Sequence, residues 1–229
     1  MCGRFVSTAT PAQLASFLHV QEIRTAALEP SWNVAPTDQV YAAADNREER
    51  RVLGTFRWGL VPYWARDDKV GARMINARAE SLESKFRRTF ERRRCLVPAD
   101  GFYEWEKTAK GTKQPWFVQR ADGAPMVFAG LWERWTPADA PGDADPLRTC
   151  SIVTTVANSL LARIHHRMPV VLSPKDWERW LDRALTDTSM LRDLLAPADA
   201  RAFDLVKVST DVNSVGNNHA GLVHPVDGR

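Results

Sequence analysis

The strongest constraint on the fold is a succession of short β-branched and aromatic segments punctuated by Gly, Pro or Asp. They fall at 38–43, 52–58, 95–97, 101–106, 115–119, 126–134, 148–155, 169–172 and 204–209, and most have the length and residue types of strands. Many are joined by tight turns rather than helical crossovers. This predicts an α+β fold, mainly antiparallel, with a barrel-like sheet core and flanking short helices. A helix is predicted to run to about His19 from Thr10-Pro11-Ala12-Gln13, a capping box with proline at the first helical position. Further helices are expected at 84–94, 158–164 and 174–182; in the last, Trp177, Trp180 and Leu181 share a face. The stretch 136–146 reads as a loop, and because the strand pattern resumes after it, residues 1–229 are read as a single domain.

Composition narrows the class. With 44% apolar residues and 31 basic against 28 acidic side chains, intrinsic disorder is excluded. Neither a run of about twenty apolar residues nor a basic-then-apolar leader is readable, so no membrane contact and a cytoplasmic location are expected, nucleoid-associated in a bacterium. Cys2, Cys95 and Cys150 are an odd number with no Cys-x-x-Cys pair. That speaks against a disulfide framework and a structural zinc, and no metal or cofactor is expected. Charge is uneven: residues 47–94 hold fourteen Lys or Arg against seven Asp or Glu. Most basic residues are arginine, which forks onto phosphate, and tryptophan is as common as phenylalanine, nine each. The pairing suggests stacked, unpaired bases, although composition alone favours a solvated basic helix and a Trp-rich core.

Cys2 carries distinctive chemistry. Removal of Met1 leaves an α-amine and a thiol on one residue. An α-amine with a pKa near 7.7 to 8.0 is partly unprotonated at neutral pH and nucleophilic towards aldehydes. The thiol can then close on the Schiff base to give a five-membered thiazolidine, which an internal cysteine cannot form. Taken alone, Cys2 reads rather as an ordinary small buried core residue.

Seven motifs carry a resemblance: Met1-Cys2-Gly-Arg-Phe5, Trp32-Asn-Val-Ala-Pro-Thr37, Arg57-Trp-Gly-Leu-Val-Pro-Tyr-Trp-Ala65, Ile75-Asn-Ala-Arg-Ala-Glu80, Arg93 to Trp105, Phe128-Ala-Gly-Leu-Trp132 and Ile164-His-His-Arg-Met-Pro-Val170. In this order they span nearly the whole chain, which resembles the SOS response associated peptidase family of abasic-site-shielding proteins. The resemblance implies that fold, a covalent thiazolidine link to abasic sites in single-stranded DNA, self-removal of Met1 and cleavage at the abasic site. It also implies single-stranded DNA containing abasic sites as partner, the replication machinery as a further one, and a monomer.

Carried over by position, Cys2 resembles the nucleophile, Asn76 the amide that positions the N-terminus and sugar, and Glu104 and His165 the proton-transfer pair. An abasic sugar is mostly a closed hemiacetal, so a proton must reach its ring oxygen to expose the aldehyde, and histidine titrates nearest neutral pH. Carbinolamine dehydration and ring closure need another shuttle, for which a carboxylate beside the amine is suited. His166 departs from the family, which usually has Asp, Asn or Glu before Arg-Met-Pro. The stretch 208–216 matches loosely and is assigned nothing catalytic.

Arg4, Arg78 and Arg167 adjoin these motifs and are expected to bind phosphates flanking the lesion. Of Trp58 and Trp64, one is expected in the core and Trp64 is the expected stacking platform. Arg87, Arg88, Arg92, Arg93 and Arg94 surround a helix and divide evenly between a DNA-contacting stripe and a solvated face. Two other classes stay open: a thiol peptidase acting on other proteins, and a noncovalent single-strand binder in which Cys2 is irrelevant.

Overall fold

The computed structural model describes residues 2–109 and 111–226. Its strands are β1 (Arg4–Ser7), β2 (Glu22–Ile23), β3 (Ser31–Val34), β4 (Gln39–Asp45), β5 (Arg51–Trp58), β6 (Asn76–Arg78) and β7 (Arg94–Ala99). After these come β8 (Gly101–Lys107), β9 (Lys113–Arg120), β10 (Met126–Trp135), β11 (Leu147–Val156), β12 (Arg167–Pro169) and β13 (Phe203–Lys207). The α-helices are short: α1 (Pro11–Phe17), α2 (Leu82–Lys85), α3 (Arg87–Arg92) and α4 (Trp177–Leu181).

A closed barrel forms the centre. Strand β4 pairs antiparallel with β5 and β7, β7 with β10, and β10 with β11. Strand β11 then meets β5 in parallel, with Thr149 opposite Arg57 and Cys150 opposite Trp58, which closes a ring of five strands. A second sheet runs β13-β9-β8-β1-β3. The architecture is the expected α+β fold with a mainly antiparallel barrel and short flanking helices.

Strand alternation sorts the two faces of the barrel wall. Val40, Ala42, Phe56, Trp58, Cys95, Val97, Phe128, Cys150 and Ile152 share one cluster, which also takes in Cys2 and Phe5. Their neighbours of opposite parity, among them Tyr41, Ala43, Leu53, Leu96 and Leu131, pack against Leu14 and Leu18 and against Trp177 and Trp180 of α4. Phe5 of β1 meets the Trp58 ring edge-on at 5.0 Å and that of Phe128 at 6.0 Å. The N-terminal segment is thereby anchored in the core, with Cys2 fully buried.

Helix α1 carries the expected capping box, with Thr10 and Gln13 exchanging hydrogen bonds and Pro11 in the first turn. Three expectations are corrected. The helix at 84–94 breaks at Phe86, whose φ of −123° and ψ of 15° end α2 before α3 begins. The helix at 158–164 is reduced to one 3-10 turn, Leu161–Arg163: Asn158 opens it by accepting the Leu161 N–H, and it ends where the Ile164 and His165 N–H groups both return to the Leu161 carbonyl. The strand expected at 169–172 lies at Arg167–Pro169, with a single bridge from Phe128 to Val171 beyond it. Among the described residues, no helix is long and apolar enough to cross a membrane.

Candidate functional site

Asn76 opens β6, which lies parallel to β11 with Asn76 opposite Ile152. The preceding Ile75 carbonyl accepts the Trp58 indole N–H at 2.9 Å and the Ile152 backbone N–H at 3.0 Å, so the buried Trp58 sets the height of Asn76 on the barrel wall. From there Asn76 donates through Nδ2 to the carbonyl of Cys2 at 2.8 Å. Its other atom, Oδ1, is buried with no hydrogen-bond donor among the described residues. Such an acceptor is costly unless a ligand hydroxyl or ammonium meets it.

Glu104 enters from β8, which pairs with β1 through Tyr103 opposite Arg4, and only 3% of it is exposed. His165 follows the Leu161–Arg163 turn and places Nδ1 3.9 Å from Glu104 Oε2. The same Nδ1 accepts the Arg167 backbone N–H at 3.0 Å in the neutral Nε2–H tautomer, and lies 3.3 Å from the Arg167 carbonyl oxygen, to which it donates when protonated. Burial lowers the His165 pKa and the Glu104 charge opposes that shift. Burial also pushes the Cys2 thiol far up, with the Glu104 carboxylate adding to it. Cys2 is therefore a protonated thiol at neutral pH. The exposed His166 ring lies 4.3 Å from that of His165, tilted by 32°. The expected loss of Met1 concerns a residue outside the described range.

The expected DNA-binding residues divide. Trp64 is 69% exposed while Trp58 is fully buried, which assigns core and surface as the alternation required. The Trp64 loop leaves the barrel at Gly59, whose φ is +133° and where a Cβ would stand 2.5 Å from the Gly71 carbonyl oxygen, so only glycine fits. Arg78 is exposed on β6, two residues from Asn76. Arg4 is half-buried and donates to Asn33 Oδ1 at 2.8 Å and Val212 C=O at 2.9 Å. Arg167 is buried, forks onto Glu80 at 2.6 and 3.0 Å, and donates to Thr154 C=O at 2.6 Å. These bonds tie Arg167, two residues from His165, to Glu80 and to Thr154 of β11, while its Nε has no hydrogen-bond partner among the described residues.

A sequence profile of the SOS response associated peptidase (SRAP) family matches residues 1–215. The chain belongs to this family. It is 39% identical over 227 residues to "Abasic site processing protein YoqW" of Bacillus subtilis, covering 97% of this chain and 99% of that protein. Identity to "Abasic site processing protein YedK" of Escherichia coli is 32% over 233 residues, covering 99% and 100%. To "Abasic site processing protein HMCES" of Gallus gallus it is 30%, covering 99% and 78%. A crystal structure of a protein from Bacteroides thetaiotaomicron matches with a TM-score of 0.86 at 25% identity, covering 98% of this chain and all of that one.

Two contributors to this SRAP site escaped sequence reasoning. Glu80 ends a motif that the sequence displays, yet its partner Arg167 lies 87 residues away and nothing local pairs them. Buried Asn33 receives Arg4 and donates to the carbonyls of Ser214 and Asn217, at 2.9 and 2.8 Å, tying β3 to the 208–216 stretch. The arginine run also resolves. Arg94 is buried and donates to the carbonyls of Trp180, Phe90 and Glu91 at 2.5, 2.6 and 2.9 Å, acting as a clip between α3 and α4. Arg87 pairs with Glu91, Arg93 with the buried Glu133, and Arg88 lies 4.3 Å above the Tyr63 ring.

Proposed function

We propose that this chain captures abasic sites in single-stranded DNA as a thiazolidine at Cys2, shielding the lesion. The observation that carries the reading is the convergence on Cys2: its carbonyl is held by Asn76, and the Glu104–His165 pair stands 3.9 Å apart beside it. The relatives' names, abasic site processing proteins, support it.

Each step balances. Hydrolysis of the Met1–Cys2 bond consumes water and frees the α-amine. The imidazolium form of His165 delivers its Nε2 proton to the sugar ring oxygen as the Glu104 carboxylate takes the C1′ hydroxyl proton, so the aldehyde opens and leaves neutral His165 and a protonated Glu104 that returns the proton. The amine adds to the aldehyde carbon, the carbinolamine loses water to an iminium, and the thiol sulfur bonds to that carbon as its proton leaves. No redox step is needed. Glu104 stabilises the cationic iminium and takes the protons released, and Asn76 Oδ1 receives the amine or a sugar hydroxyl. At the iminium stage, loss of a C2′ proton with departure of the 3′ phosphate is the lyase branch. Arg78 and Trp64 hold the strand by phosphate contact and base stacking. The whole of 1–229 acts as one monomeric domain in the cytoplasm.

A peptidase acting on other proteins is less well supported. Cysteine nucleophiles work as thiolates in surroundings that lower their pKa, and burial with Glu104 drives Cys2 the opposite way.

The test is a denaturing gel after mixing the purified protein with single-stranded DNA bearing one abasic site, together with intact mass. A heat-stable adduct formed by protein beginning at Cys2 is expected. Adduct formation by protein that retains Met1 would overturn the aminothiol chemistry.

A further inference from the structure

A second concave site lies elsewhere on the barrel. At one rim a cavity of about 470 Å³ opens between β5, β10, β11 and α3, within the usual range of small-molecule pockets. It is lined by Arg88, Arg92, Arg93, Arg134, Arg148 and Arg183, and its base carries Phe56 and Trp132, whose rings meet edge-on at 5.8 Å. Along β11, Arg148 lies four residues before Ile152, the residue opposite Asn76, a separation of about 13 Å for extended chain.

Like charges are held together here by the register itself. Arg134 and Arg148 are directly opposed across β10 and β11, a pairing that is destabilising unless something compensates. The Arg148 guanidinium reaches over Gly54, where a Cβ would stand 3.4 Å from Nη1, so the missing side chain leaves it room. Arg88 and Arg92 sit one turn apart on α3. Of the nearby acids, Glu133 is committed to Arg93 and Asp45 to Arg51 at 3.4 Å, and Glu48 lines the pocket on the side of Arg24. Among the described residues no carboxylate lies within ion-pair distance of Arg88, Arg92, Arg134 or Arg148. The Arg93 pKa is lowered by burial first and then by Arg88, Arg134 and Arg183, which marks the same crowding of cations.

We propose that this rim pocket binds a free compound of mononucleotide size carrying two or more adjacent phosphates. Guanidinium forks match phosphate oxygens, and several clustered forks with few acids select multiply charged anions over a single carboxylate. A free ligand is favoured over a passing strand because the cavity ends on Phe56 and Trp132 at the barrel wall. The site is independent of the Cys2 chemistry.

Isothermal titration of the full chain with inorganic tripolyphosphate and with dATP, at about 0.15 M salt, tests this. Saturable binding of one equivalent is expected, weakened about tenfold or more in R134S/R148S through loss of charge-assisted contacts. The variant should melt no lower than the parent, since opposed like charges have been removed. R148Q alone gives a second reading of the same loss with a single surface change. Absence of saturable binding, or unchanged affinity in both variants, would overturn the proposal. So would displacement of tripolyphosphate by one equivalent of undamaged single strand, which would reassign the pocket to DNA backbone.

Discussion

Glu104 Oε2 and His165 Nδ1 stand 3.9 Å apart, with Nδ1 also accepting the Arg167 N–H. The carboxylate favours the imidazolium, burial disfavours it, and burial prevails, so His165 is neutral at physiological pH. A proton that it gives to a sugar therefore comes from the minor imidazolium form.

This fixes a pH dependence. Because the His165 pKa lies below its ordinary 6.5, the neutral form persists as pH falls through 6.5 and is lost only below it. Ring opening draws on the imidazolium, the minor form at neutral pH, so crosslinking of a closed abasic sugar should gain on reaction with a small free aldehyde as pH falls from 7 towards 6. The stability contribution of the depressed pKa is complete above the unfolded value and lost as pH falls through the folded one. The ratio of the two rates against pH checks this, and a ratio that falls between pH 7 and pH 6 would contradict it.

Arg78 and Arg167 should separate in a salt titration. Arg78→Ala removes an exposed charge, so affinity for single strands should fall and the log–log salt slope shrink by about 0.7, with stability unchanged. Arg167→Ala leaves Glu80 and Thr154 without their donor and frees the His165 backbone. Its melting temperature and adduct rate should drop while the salt slope stays. Equal slope changes in both variants would return Arg167 to the DNA surface.

Trp58 and Trp64 give a similar contrast. Trp64→Ala should cost about 1–3 kcal/mol of single-strand affinity and leave stability intact, because 69% of the residue faces solvent. Trp58→Ala empties the barrel interior and releases the Ile75 carbonyl, a loss of about 3–5 kcal/mol in stability by chemical denaturation. Unaltered DNA affinity in Trp64→Ala would remove the stacking role.

The barrel strands were legible because β-branched runs between turn residues depend on local chemistry: β4, β5, β10 and β11 fall within about two residues of expectation. Strand β6 was not, since three residues, Asn76–Arg78, become strand only by pairing with β11. The same holds for Arg167. Its place beside a motif suggested phosphate, yet its partner Glu80 lies 87 residues away and burial is a property of the fold. Asn76, Glu104 and His165 were reached through motif resemblance; their approach to Cys2 required β1, β6 and β8 to meet.

Replacing the two proton-transfer residues should produce different patterns with two aldehydes. A closed abasic sugar must be opened before the Cys2 amine can react, whereas a small free aldehyde needs no opening. If His165 supplies the ring-oxygen proton through Nε2–H, His165→Ala should crosslink the closed sugar slowly, by about 100-fold, and react nearly normally with the free aldehyde. Glu104→Gln should slow both substrates, because both pass through a cationic iminium that the carboxylate faces. His166→Ala, altering an exposed ring, should change neither by more than a small factor. Cys2→Ala completes the set: borohydride should trap an imine at its α-amine while the heat-stable adduct is lost, since only the thiol closes the ring. Equal slowing of both aldehydes by His165→Ala would remove the ring-opening role and leave His165 as an electrostatic partner of Glu104.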